Sequence, residues 1–314
     1  MKKLHILMLC AGIIGFNFGA YADDSSLNIA IQNAKSACSG ISDKMSGMKT
    51  MAGINTAVTG VGTVTGAVAL GTGIAKAGVD AEQRALITKW IADNEDTPVE
   101  ELTVENWENF ENEVKNLAMS LTENGNDDLK KIAELEEKSK TLGKVRTGTL
   151  AASTVADTAG VIIAANNKVD EDLQGLVDKC IESIDVLKEE QLRARTENTA
   201  SESDLAYADK ILNDCADWKN VDLSSIDKRA TGAAVSAGVG AALGLAGTIT
   251  SASANSDSVR SGDTSTEAKL NTASNILAGG TTVASGVATV FNATQISAIK
   301  KAVAAADKCE EALR

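Results

Sequence analysis

The chain has 314 residues, 30 of them basic and 43 acidic, for a net charge of −13, and it contains a single histidine, His5. Clusters of Lys and Arg that would bind phosphate are missing, so nucleic acid is not an expected partner, and no motif indicates a cofactor or a small-molecule substrate. Aromatic residues are 3% of the chain, so a core has to come from Ala, Gly, Val, Ile and Leu on closely packed helices.

Lys2 and Lys3, an apolar run over residues 4–20, and Ala20-Tyr21-Ala22 ahead of Asp23-Asp24 read as a secretory signal peptide, residues 1–22, cleaved after Ala22. An uncleaved anchor fits less well, because the run is short and carries Gly15, Asn17 and Gly19; Leu9 speaks against lipidation of Cys10. Removal of the segment takes away two of the 30 basic residues and none of the acidic ones, moving the net charge from −13 to −15. The expected location is therefore outside the cytoplasm, periplasmic or secreted. His5 leaves with the signal peptide, so Ser-His-Asp, Cys-His and histidine–metal sites have no histidine to use.

Pro98 is the only proline and strand signatures are rare, which predicts an all-α chain. From Asp24-Ser25, a helix start, Leu27, Ile31, Ala34, Cys38, Ile41, Met45 and Met48 fall at heptad-like steps in one long amphipathic helix. It runs into a small-residue segment, residues 50–78, that ends near Leu86, Ile87 and Trp90. Asp93 to Asp96 breaks the pattern. Thr97-Pro98-Val99-Glu100 reads as a capping box, so a new helix starts there or at Thr103; it carries Trp107, Phe110, Val114 and Leu117 to a turn at Glu123-Asn124-Gly125-Asn126. Leu129, Ile132, Leu135 and Leu142 lead into an alanine-rich stretch, residues 147–167, followed by Leu173, Leu176, Cys180, Ile184 and Leu187. Polar residues 193–204 read as a linker. Beyond it come Leu205, Ala208, Leu212 and Cys215, a loop near 219–225, and a second small-residue helix from about Ala230. Residues 251–265 read as a Ser-rich loop, and the return helix runs to Cys309 and Leu313.

This order repeats. Gly60-Val61-Gly62 with Gly66 recurs as Gly238-Val239-Gly240 with Gly244, and Asp178-Lys179-Cys180 as Asp307-Lys308-Cys309. Steps of three and four residues give one seam of Thr59, Gly62, Gly66, Ala69 and Gly73 and another of Ala237, Gly240, Gly244, Gly247 and Ser251. Glycine in a helix costs about 0.8–1 kcal/mol against alanine, which close approach of a second helix offsets. The reading is an internal duplication: residues 23–195 form a helical hairpin with an acidic insertion at about 94–141, residues 196–204 a linker, and 205–314 a second hairpin, together an elongated bundle.

The cysteines left after cleavage, Cys38, Cys180, Cys215 and Cys309, read as two disulfides in an oxidising compartment. Duplication favours Cys38–Cys180 and Cys215–Cys309, with spacings of 142 and 94 residues; a nested alternative joins Cys180 to Cys215 and Cys38 to Cys309. Zinc-site spacing is missing, as are EF-hand spacing around Asp93-Asn94-Glu95-Asp96 and Asn126-Asp127-Asp128 and a third glycine at Thr65 for a dinucleotide fingerprint. With no catalytic or metal site indicated, the leading expectation is a non-enzymatic exported helical module, structural or interacting with a protein partner or with itself. The alternative is a membrane-inserting or pore-related protein using the Gly/Ala-rich hairpins. The uncharged run at residues 50–75 would reach about 39 Å as a helix, but it holds only seven residues of the Leu, Ile, Val and Phe class. A membrane is thus a possible partner that composition does not favour, and a soluble bundle with one small-residue helix packed on the other is expected.

Overall fold

A computed structural model describes residues 26–94, 104–120, 127–262 and 264–314, and every regular element among them is helical. The signal-peptide segment 1–22 with its cleavage site, the Thr97-Pro98-Val99-Glu100 cap and the Glu123-Asn124-Gly125-Asn126 turn lie outside the described residues. The elements are α1 (Ser26–Cys38), α2 (Ile41–Asn94), α3 (Val104–Ser120), α4 (Asp127–Asn166), α5 (Glu171–Glu197), α6 (Glu202–Asp214), a 3-10 turn (Ala216–Asn220), α7 (Leu223–Ala254), α8 (Asp257–Gly262) and α9 (Thr264–Ala312).

Local chemistry fixes several ends. Asp170 accepts from the Leu173 N–H at 2.6 Å and opens α5, Ser201 accepts from Asp204 N–H and opens α6, and Asp222 does the same for α7 through Ser225 N–H. Asn198, with φ 53°, closes α5 by returning its N–H to Ala194 O.

Three expected boundaries move. The first helix is interrupted after Cys38, because Gly40 adopts φ +80°, a left-handed conformation that glycine accommodates without strain. The linker shrinks to the residues between α5 and α6, since nothing before Asn198 stops the helix and Ala194 is buried. The Ser-rich stretch 251–265 is mostly helix. Ser251 is buried and inside α7, and Asn255 caps its end through Nδ2 to Ser251 O at 2.8 Å.

Four long helices form a ring in which α2 packs on α4 and α9, and α7 packs on α4 and α9. Neighbours are antiparallel: Gly62 of α2 faces Asp157 of α4 while Asp80 of α2 meets Ser139, and Arg229 of α7 meets Thr294 of α9 while Gly247 meets Leu277. The two small-residue helices, α2 and α7, therefore sit at opposite corners. Their seams face α4 and α9, and the expected packing of one against the other does not occur.

Apolar burial concentrates at the two ends. At one, α1, α5, α6, the 3-10 turn and the last turns of α9 bury Leu27, Ile31, Ile184, Leu187, Ile211, Trp218, Ile299 and Leu313 in one cluster with all four cysteines. At the other, Ile87, Ile91, Val114, Ala118, Leu129 and Ile132 join α2, α3 and α4. Between them the only apolar cluster among the described residues is Ala69, Leu150 and Ala278.

Candidate functional site

Cys38 is bonded to Cys180 and Cys215 to Cys309, with Cα–Cα distances of 4.6 and 4.4 Å. The first bridge ties α1 to α5 and the second ties the end of α6 to α9. The Sγ atoms of Cys38, Cys180 and Cys309 lie within 4.8 Å of one another, beside the buried Trp218. As disulfides these sulfurs are not thiolates and offer a metal nothing.

The seam glycines are all buried, and most of them face polar side chains. A Cβ on Gly62 would come within 2.5 Å of Asp157 Oδ1, one on Gly240 within 2.7 Å of Asp157 Oδ2, one on Gly66 within 2.9 Å of Thr282 Oγ1, and one on Gly244 within 2.6 Å of Thr154 Oγ1. At Gly73 it would collide with Asn275, and at Gly247 it would press on Leu277 and Leu150.

The glycines thus make room for a column of polar groups along the axis of the ring. Starting from the cysteine end, Gln295 Nε2 donates to Asn167 O at 3.1 Å. Next, Asn55 Nδ2 donates to Asn292 Oδ1 at 2.9 Å, and Asn292 Nδ2 to Thr59 Oγ1 at 3.2 Å. Asp157 Oδ2 then accepts from Ser285 Oγ at 2.7 Å, and Ser153 Oγ donates to Gly62 O at 2.8 Å. Past the Ala69, Leu150 and Ala278 layer, the Arg146 guanidinium donates to Ser251 Oγ, Asn275 Oδ1 and Asn271 Oδ1 at 3.1, 3.0 and 2.8 Å. Lys76 then pairs with both Asp80 and Glu267 at 2.8 Å.

The column ends in a cavity of about 230 Å³ where Asp80, Glu111, Glu136 and Glu267 converge with Arg84, Lys115 and Arg260. Arg260 meets Glu136 at 2.6 Å and Lys115 meets Glu111 at 2.8 Å. Each carboxylate has a cation, so the arrangement is an ionic clasp between α2, α3, α4, α8 and α9. Burial pushes the Glu136 carboxyl up, but the Arg260 charge and the hydrogen bonds from Arg260 and Gln83 outweigh it and hold the group below its ordinary value.

The outer face of the ring is the reverse of its interior. Val64, Val155, Val235, Ile276 and Val283 are 63–70% exposed, with Ile54, Val61, Ile74, Ile162, Val239, Leu245, Ile249 and Val290 also outward. No charged residue occurs on α2 between Lys49 and Lys76, on α7 between Arg229 and Asp257, or on α9 between Lys269 and Lys300; on α4, between Arg146 and Lys168, the one charged residue is the buried Asp157. These bands are in register, because Asn55 meets Asn292 and Arg229 meets Thr294 toward one edge while Arg146 meets Ser251 and Asn271 at the other. Among the described residues four helical segments are long and apolar enough to cross a membrane, and only 28% of the most apolar 18-residue window of each is buried in the protein.

Comparison with known proteins returns no match: no family model, no curated protein and no solved structure is significantly similar to the chain. The site rests on its own geometry.

Sequence reading marks the glycines and passes over the groups they surround. Asp157 stands in it only as one position of the alanine-rich stretch 147–167, and Asn55, Asn292, Arg146, Lys76 and Ser285 not at all. The available signal is a lone charge in an uncharged stretch, with Ser153 four residues before it and Gly160 three after, on one helical face.

Proposed function

We propose that the protein is an exported, non-enzymatic helical protein whose four-helix stem inserts into a membrane, placing it with pore-related proteins. The observation that carries this reading is the uncharged outer band of Val, Ile, Leu and Ala, in register on all four helices, around a polar interior. In water such a band is a large exposed apolar patch of the kind that soluble monomers avoid. In lipid the same band faces matching solvent, and many of the interior polar groups bond to one another across the helices.

Length supports the same reading. The shortest band, residues 147–167 of α4 and its end, spans about 31 Å at 1.5 Å per residue, against a hydrocarbon core of about 30 Å. One edge is marked by Lys49, Lys168, Arg229 and Lys300, one from each band; long basic side chains reach from such an edge to headgroups. Glycines on the inner faces allow the helices to approach closely without a hydrophobic driving force. The finer architecture follows from duplication: α1 and α2 with α4 and α5 form one hairpin, α6 and α7 with α9 the other, each closed by its own cysteine pair, and α2 and α7 fall at opposite corners as a twofold arrangement requires. The acidic, disulfide-stapled end stays in water.

Carbonate extraction of membranes from cells expressing the exported protein tests this. Retention in the pellet is expected. Release into the wash would instead favour a soluble exported scaffold, with the cysteine end as its surface for a protein partner or a second copy.

A further inference from the structure

We infer that Asp157 is a proton-binding site at the point where the four long helices meet, and that its proton is required for the ring to close. The inference does not depend on whether the outer band meets lipid or water. Asp157 lies on α4 and is 0% exposed. Its Oδ2 accepts one hydrogen bond, from Ser285 Oγ of α9 at 2.7 Å, and its Oδ1 is buried with no hydrogen-bond partner. Gly62 of α2 and Gly240 of α7 close the other two sides, so near that a Cβ on either would fall 2.5 or 2.7 Å from a carboxyl oxygen.

The ligand follows from that space. A metal cation needs about six oxygens at 2.3–2.6 Å around a void of its own size, whereas here the flanks of the carboxyl are glycine backbone. A proton needs no void. No opposite charge is available either: the groups facing Asp157 are Gly62 of α2, Gly240 of α7 and Ser285 of α9, with Ser153 on its own helix. The nearest charged residues along the chain on the four bands are their flanking ones, and at the near edge Arg146 and Lys76 are already engaged with Ser251, Asn271 and Asn275, and with Asp80 and Glu267. Burial outweighs the two neighbouring hydroxyls, Ser285 and Ser153, which favour the charged form, and with no cation facing the group the neutral acid is the form that fits. Ionisation releases the carboxyl proton and leaves an unpaired negative charge on the axis, which the closed ring does not accommodate. The closed ring is favoured in acid and loses stability as pH rises.

The test compares the purified full chain with Asp157→Asn, a neutral isostere, in melting experiments from about pH 5 to about pH 8. The parent is expected to lose several degrees more than the variant over that range, since every other titratable group is common to both. Equal slopes would overturn the proposal. Should Asp157→Asn fail to fold, infrared spectroscopy of the parent with and without 13C-aspartate decides. A protonated aspartyl C=O band at about pH 5 that fades as pH rises to about 8 supports the site, and its absence at every pH removes it.

Discussion

At the cysteine end Leu27, Ile184, Leu187, Ile211 and Trp218 are buried and the polar residues face outward; along the stem Asn55, Thr59, Asp157, Ser285 and Asn292 are buried while Val64, Val155, Ile276 and Val283 face outward. The same α9 passes through both regions, so the change lies in what each stretch packs against and helix type has nothing to do with it. In the first region apolar burial and two cross-links hold the chain, worth about 25 cal/mol per Å² of apolar surface removed from water. In the second, glycine-mediated closeness and mutual hydrogen bonds take over. The contrast teaches that polarity alone does not say which face of a helix is inside.

The largest expected effect separates the two regions by removing the cross-links. Replacing all four cysteines by serine should destabilise the cysteine end by about 2–4 kcal/mol per bridge, read as faster hydrogen exchange in α1, α5 and α6 while the stem amides keep their protection. Uniform loss of protection would mean that the two regions are not energetically distinct.

Glu136→Ala should cost about 3 kcal/mol, because it leaves the buried Arg260 of the clasp without its closest carboxylate. The pH dependence has a definite sign. Since the folded Glu136 carboxyl is held below its ordinary value, its stabilisation is full above the ordinary carboxylate range and is lost as pH falls through the folded value. Acid melts of parent and variant should converge, and parallel curves would show that the pair contributes nothing.

Val155→Asp and Val283→Asp probe the outer band, where both are among the most exposed large apolar side chains of the described residues. If the band meets lipid, each change opposes insertion by about 2.5–3.5 kcal/mol and shifts protein from the carbonate-resistant pellet to the wash. On a water-facing surface the same changes would stay within about 0.5 kcal/mol, leaving fractionation and melting as in the parent.

The smallest effect lies inside the ring. A side chain at Gly66 meets Thr282 Cα at 3.3 Å, whereas nothing lies within 4 Å of a Cβ at Gly60. Gly66→Leu should therefore lower stability by about 1–3 kcal/mol through overpacking, beyond whatever Gly60→Leu does. Matching melting temperatures for the two variants would place the inner contact elsewhere.

Much of this was open to a reader of the residues. The scarcity of proline and of strand patterns made the chain helical, and steps of three and four among Thr59, Gly62, Gly66, Ala69 and Gly73 point to positions that are buried on α2. The spacing of the cysteines and the repeated Asp-Lys-Cys left two connectivities open, of which the bonded pairs are Cys38–Cys180 and Cys215–Cys309. These features are local or periodic, and periodicity survives in one dimension. Other features were settled only when the helices came together. Gly40 turns left-handed between α1 and α2, Ser251 is buried inside α7 where Arg146 reaches it from α4, and α2 meets α4 and α9 while α7 lies across the ring. Asp157 shows in the sequence only as a lone charge in an uncharged stretch, and its surroundings are decided in space, where α2, α4, α7 and α9, far apart along the chain, come together around it.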